Sequence, residues 1–292
     1  MVNYKVDGLV LKARPFGEAD RILTILDPRL GKVEAVAKGA RRVKSSLRGA
    51  CQPFSHNQFF LWQGRSLDGI SQCEVVESFS CLRDDLPRMA AASYVAEFVD
   101  DVVRERDPSP ETYELVLDTF RWLAEAEPTK ANVTHILRAF DLRFLALAGF
   151  APSLDACAGC GQPLAAWAGT GQVAFSAAAG GVICPACRAG TALGGEEGTA
   201  PAGETPGNWP DTSRLDAAQP GLPCRAGPPV ILLSPGTLAS MRHLAQADSA
   251  RARVLRLTPR AAQEMGQALR AHITYCLDRR LKSLDFLDSV LG

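Results

Sequence analysis

The stretch DRILTILDPRLGKVEAVAKGARR, residues 20–42, holds two apolar runs around a tight turn and then a burst of positive charge. Pro28 suits the second position of a turn and Gly31 tolerates positive φ. After the turn Val33, Ala35 and Ala37 alternate with Lys32, Glu34 and Lys38, the period-two pattern of a half-buried strand. Working outward, YKVDGLVLKAR precedes this pair, and CQPFSHNQFFLW and SLDGISQCEVVESF come after it, all rich in β-branched, aliphatic and aromatic residues. Five strands in residues 1–80 leave no length for crossover helices. A small, mostly antiparallel barrel results, and the five-stranded OB-fold fits best, with an SH3-like barrel as the alternative.

Past residue 81 the period becomes helical. PRMAAASYVAEFVDDVVRE places Met89, Ala92, Val95, Ala96, Val99 and Val103 on one face. PETYELVLDTFRWLAEAE and NVTHILRAFDLRFLALAGF come next, divided by Pro108, Pro110 and Pro128, so residues 81–150 read as antiparallel helices on short loops. Residues 151–190 carry paired cysteines. Residues 191–229, which include Trp209 and Cys224, are rich in Gly, Ala, Pro and Thr and read as a flexible insert. Helices resume over 230–292, where Ser234–Pro235 and Thr258–Pro259 are N-cap and first-position pairs. The expected class is therefore a multi-domain α+β protein: an N-terminal OB barrel and a helical C-terminal domain carrying a cysteine module.

The chain has 292 residues and balances 32 basic against 32 acidic side chains. The balance conceals a division: residues 1–80 hold twelve Lys or Arg against eight Asp or Glu, residues 82–150 eight against thirteen, and residues 251–292 eight against four. No membrane span and no signal peptide are read, so a cytoplasmic protein is expected, with its nine cysteines reduced or metal-bound.

Cys157 and Cys160, then Cys184 and Cys187, form two CxxC pairs separated by 23 residues. Two thiolates three residues apart grip one ion while small neighbours such as Gly159, Gly161 and Ala186 let backbone N–H groups turn toward sulfur. Two such pairs complete the tetrahedral four-thiolate shell of a structural zinc ion, one per chain, with no open position for catalysis. A reduced thiol set, a redox pair and an iron–sulfur cluster use the same residue types. Cys51, Cys73, Cys81 and Cys276 stand singly in apolar patterns and read as small buried hydrophobes.

Phosphate-cradling glycine motifs and H-E-x-x-H are absent. The histidines at 56, 135, 243 and 272 are scattered. Asp84–Asp85 and Asp100–Asp101 recommend a metal-dependent nuclease only weakly, because they lie on an acidic helical face beside Glu97 and Glu105. A binding protein, not an enzyme, is expected. Lys38, Arg41, Arg42, Lys44 and Arg48 form an eleven-residue basic loop without an acid, between strands three and four. Such a loop neutralises phosphates and releases counterions, and Lys32 and Arg14 extend it. Phe54, Phe59, Phe60 and Trp62 in the next segment include rings on which bases stack, although alternation sends some inward.

These features resemble one family. GLVLKARPFGEADRILTILDPRLGKVEAVAKGARRVKSSLRGACQPF, then AASYVAEFVDD, the CxxC pairs and LDRRLKSLDFL, are similar to RecO, a family of bacterial recombination mediators in DNA repair. The similarity spans the chain apart from residues 188–229. It implies an N-terminal OB-fold, a helical C-terminal domain and a zinc module that only some members keep. It implies binding of single- and double-stranded DNA, strand annealing and help in loading RecA onto strands coated with single-strand binding protein. Implied partners are RecR, single-strand binding protein and, in some members, RecF; the implied place is the nucleoid. It further implies that the tail of single-strand binding protein is short, acidic and apolar-ended; the net positive charge of residues 251–292 makes the helical region its expected dock, with Arg251, Arg253 and Arg256 as the expected contacts. A zinc-ribbon OB protein that binds RNA and a metal-dependent nuclease are the alternatives.

Overall fold

The computed structural model describes residues 3–169, 171–192 and 229–291. Most of the expected insert, with Trp209 and Cys224, lies outside the described residues.

Alternating burial builds the N-terminal strands β1 (Asn3–Phe16), β2 (Asp20–Asp27), β3 (Gly31–Ala37), β4 (His56–Trp62) and β5 (Asp68–Glu77). They close into a barrel in the order β1-β2-β3-β5-β4. Every pairing is antiparallel except the short β3–β5 closure, Ala35 opposite Asp68 and Val36 opposite Gly69. This is the mostly antiparallel OB-type barrel expected. Val6, Val10, Leu23, Ile25, Val33, Phe59 and Leu61 fill it.

The remainder is mainly helical. Before the insert come α1 (Cys81–Asp84), α2 (Leu86–Val102), α3 (Pro110–Glu125), α4 (Lys130–Leu147), β6 (Val173–Ser176), β7 (Gly181–Ile183) and α5 (Pro185–Ala192). After it come β8 (Ile231–Leu233), α6 (Pro235–Gln246), α7 (Ser249–Val254), α8 (Pro259–Leu277) and α9 (Lys282–Leu291). Ser234 and Thr258 cap α6 and α8 as expected, accepting from the N–H groups of Thr237 and Ala261.

The one-sided face expected of α2 is too narrow. Ala90, Ala91, Ala92, Tyr94, Val95, Ala96, Phe98 and Val99 are all buried, and Val103 falls just beyond the helix. The helix is enclosed by α3, α4, α9 and the barrel, so its polar face shrinks; the alanines let those neighbours approach. Inside this core Asp141 is fully buried. It accepts from Tyr94 Oη at 2.8 Å and Arg138 Nη1 at 2.7 Å. Burial pushes its carboxyl up, opposed by the Arg138 charge.

Barrel and helices share one apolar core that takes Leu9, Leu11, Leu26, Phe54 and Phe79 from the barrel side. Phe54 sits at φ 72°, which for a bulky residue needs compensation. Its N–H donates to Val10 O at 2.7 Å, and its ring meets Phe120 edge-on at 5.7 Å. Gly31, at φ +72°, touches the 103–109 loop so closely that a Cβ would come within 2.2 Å of Asp107 O. Polar ties reinforce the seam: Arg83 Nη1 donates to Pro53 O at 2.8 Å, and Arg106 Nη2 to Asp68 Oδ2 at 2.6 Å.

Candidate nucleic-acid interface and metal centre

The 38–55 segment is a chain of turns that leaves β3 and returns as β4. Its small and apolar residues Ala40, Leu47, Ala50 and Cys51 are buried in the barrel core. Backbone ties fix its first turn: Gly39 N donates to Asp20 Oδ1 at 2.7 Å and Arg41 N to Ala19 O at 2.8 Å. The loop is thus pinned by its apolar residues, and Lys38, Arg41, Arg42, Lys44 and Arg48 are all exposed. Among the described residues none of the five enters an ion pair. Sequence reasoning missed the contribution of this polar-looking stretch to the core, because its apolar residues follow no single period.

Two further cations expected here are engaged by acids. Lys32 is a correction. Its side chain is 13% exposed and its Nζ donates to Asp100 O at 2.5 Å and Asp100 Oδ1 at 3.1 Å, tying β3 to α2. Arg14 is half exposed but forks onto Glu34 at 3.1–3.2 Å. The aromatic residues divide as alternation requires. Phe59 is in the barrel core, Phe54 is turned into the helical core, and Phe60 and Trp62 lie on the outer face.

The four cysteines converge. Their sulfur atoms all lie within 4.8 Å of one another, and those of Cys160 and Cys184 are 3.8 Å apart. A tetrahedral site of four sulfurs with zinc–sulfur bonds of about 2.3 Å has sulfur–sulfur edges of about 3.8 Å. Backbone N–H groups already face the sulfurs: Cys184 N donates to Cys157 Sγ at 3.2 Å and Cys187 N to Cys184 Sγ at 3.5 Å. Burial opposes ionisation of Cys157, but backbone N–H groups of Cys184, Cys160 and Gly159 bring its thiol down to about 6. Cys187 is pushed up to about 12 by the sulfurs of Cys184, Cys160 and Cys157 that share hydrogen bonds with it. Four thiols this close cannot all ionise without a cation among them, so the donor set fits a divalent metal ion. The cluster is held by β6 and β7 and by β8, which pairs with β6 from beyond the insert. The module's sheet therefore takes its third strand from residues 231–233.

Two of the three expected contacts in the C-terminal region carry ion pairs. Arg251 pairs with Asp248, and Arg253 with Glu125 at 2.6 Å while lying 5.2 Å from the Trp122 ring centroid. Arg256 borders a shallow cleft of about 180 Å³ with Trp122 and His135. A larger cleft of about 770 Å³ lies between α4, α8 and α9. Leu137, Leu257, Leu287 and Leu291 floor it, and Lys130, Arg138 and Arg270 edge it. The Nε atoms of Arg138 and Arg270 are buried there without a hydrogen-bond partner. Three of the four acids in the two pairs are engaged in structure: Asp85 caps α2, Asp100 takes Lys32, and Asp101 takes Arg279 at 2.5 Å, while Asp84 is exposed. His56, His135 and His272 are buried and bonded within the fold.

The family model described as Recombination protein O N terminal matches residues 1–79, and that described as Recombination protein O C terminal matches residues 83–201. The DNA repair protein RecO of Symbiobacterium thermophilum is 39% identical over 290 residues, 99% of this chain and 98% of that protein. The chain belongs to the RecO family. RecO relatives from Pelotomaculum thermopropionicum and Moorella thermoacetica are 35% and 34% identical, each over 99% of this chain and 94% and 92% of their own lengths. The boundary between the two RecO segments, at residues 79–83, coincides with the passage from barrel to α1. Among the described residues no helix is long and apolar enough to cross a membrane.

Proposed function

We propose that this chain is a DNA repair and homologous recombination mediator without a catalytic centre. It binds single- and double-stranded DNA, anneals complementary strands and assists RecA loading on strands coated with single-strand binding protein. One observation carries the reading: five exposed cations without acidic partners, held on a pinned barrel loop, in a family whose relatives are named for DNA repair. Cations that no acid neutralises in place are free to exchange condensed counterions of a polyanion. The engagement of Asp85, Asp100 and Asp101 within the fold argues against the nuclease alternative.

One zinc ion per chain, held by Cys157, Cys160, Cys184 and Cys187, is the proposed cofactor. It supplies a cross-link in the fold and no chemistry. RecR, RecF and RecA are proposed partners on family grounds. The tail of single-strand binding protein is proposed to dock in the cleft between α4, α8 and α9 and not at Arg251, Arg253 and Arg256. An apolar-ended acidic peptide needs an apolar floor beside a cation, and the four leucines offer the floor beside Lys130, which is exposed and forms no ion pair among the described residues, whereas Arg138 and Arg270 are engaged by Asp141 and Asp288.

The test is fluorescence-monitored annealing of two complementary strands, naked and pre-coated with single-strand binding protein. Acceleration of both is expected. Failure to accelerate either, with tight binding to structured RNA instead, would overturn the proposal.

A further inference from the structure

On the outer face of β4, Phe60 and Trp62 stand two residues apart, and Phe60 is 41% exposed. Phe60 lies opposite Lys5 on β1 and Gln72 on β5, and Trp62 lies opposite Asn3 and Gly69. Gly69 is required there: a Cβ on it would come within 2.1 Å of the indole, so the inner face of Trp62 rests on bare backbone. Over the rings stand two ammonium groups, Lys5 Nζ 5.8 Å from the Phe60 centroid and Lys38 Nζ 5.7 Å from that of Trp62. Neither lysine forms an ion pair among the described residues. Lys38 is also the first cation of the basic loop, so rings and loop make one continuous surface. Asp7 and Glu74, both opposite Gln58, bound it at the other end.

From this juxtaposition we infer that Phe60 and Trp62 are a base-stacking platform that selects single-stranded over duplex nucleic acid. The inference rests on the DNA-binding reading and adds the residues that distinguish the two forms. Rings two residues apart on a strand are separated by about 6.7 Å. Successive bases in a duplex strand rise about 3.4 Å, so stacked neighbours cannot each cover one ring. An extended single strand can place one base on each, while Lys5 and Lys38 move from the rings to the flanking phosphates. Paired bases expose no face, so a duplex gains only the phosphate contacts.

The experiment uses the full chain and three fluorescent probes: an oligodeoxythymidylate, an abasic single strand of equal length, and a duplex. Wild type should prefer the thymidylate to the abasic strand by about fivefold or more per ring, or about 1 kcal/mol. Phe60→Leu keeps bulk and apolarity but removes the π face. It should lose that preference at Phe60 and leave abasic and duplex binding within about twofold, while Phe60→Tyr retains it. Equal binding of thymidylate and abasic strand by wild type, or full affinity in Phe60→Leu, would overturn the inference and leave DNA binding itself standing. No binding of any probe would overturn the DNA-binding reading beneath it.

Discussion

Lys32 separates a structural cation from a DNA-binding one. Its ammonium is mostly buried and donates to both the backbone and the side chain of Asp100, which is itself 22% exposed. Lys32→Met keeps the aliphatic stem and deletes the charge. It leaves the Asp100 carbonyl and carboxylate short of a donor, with Lys12 at 3.9 Å as a weak substitute. Hydrogen bonds to charged groups contribute about 1.5–3 kcal/mol, and with partial compensation the loss should be about 2 kcal/mol. For a chain of this size that lowers Tm by roughly 4–8 °C. Arg41→Met, at an exposed position with no ion pair and one long hydrogen bond to Gly17 O at 3.3 Å, should change stability by less than about 0.5 kcal/mol. The assay pairs thermal unfolding with single-strand binding from low to high salt. Lys32→Met should lower Tm and keep the salt slope, and Arg41→Met should do the reverse, flattening the slope by about 0.7. A Lys32→Met protein with wild-type Tm and a flatter slope would refute the assignment.

Cys160→Ser should reduce bound zinc well below one per chain by elemental analysis and lower Tm, because metal binding is coupled to folding; protein purified without chelator and free of metal would contradict the site. Burial works against ionisation of Glu264, but donors from Thr237, Ser234 and Arg260 outweigh it and hold the carboxyl at about 2. A depressed acid contributes stability that is present above its unfolded value, near 4.5, and lost as pH falls toward 2. The urea midpoint gap between wild type and Glu264→Gln should therefore be wider at about pH 6 than at about pH 3, and an equal gap at both would be inconsistent with it. Lys130→Glu with Gln267→Glu should weaken binding of an acidic, apolar-ended peptide by about tenfold or more, whereas Arg256→Glu should not; the opposite order would return the tail to the smaller cleft that Arg256 borders.

The barrel was legible because its signals are local. Turn chemistry at Pro28 and Gly31, and alternation from Val33 to Ala37, settle two strands and their hairpin without tertiary knowledge. The four-cysteine cluster was legible for the same reason, since CxxC spacing encodes its own geometry. Contacts made across the fold were not. Nothing in the neighbourhood of Lys32 announces Asp100, 68 residues away. The burial of Ala40, Leu47 and Ala50 was hidden by the cations between them. The core of α2 looked one-sided because Ser93, Glu97, Asp100 and Asp101 mark a polar face, and nothing local shows that α3, α4, α9 and the barrel close over the alanines beside it. Glu97 capping α9 through the N–H groups of Lys282 and Ser283 joins residues far apart in the chain, a pairing that no local motif encodes. The cleft cations Arg138 and Arg270 come from different helices, so their convergence belongs to packing.

Whether the 38–48 loop is the DNA-contacting surface is tested most directly by the salt dependence of single-strand binding. Five phosphate contacts predict a slope of log K against log[salt] near about −3.5. Arg41→Ala with Arg42→Ala should flatten it to about −2.1 and weaken binding about 25-fold at about 0.1 M salt, equally for all sequences. A double variant with unchanged slope and affinity would place the DNA elsewhere on the molecule.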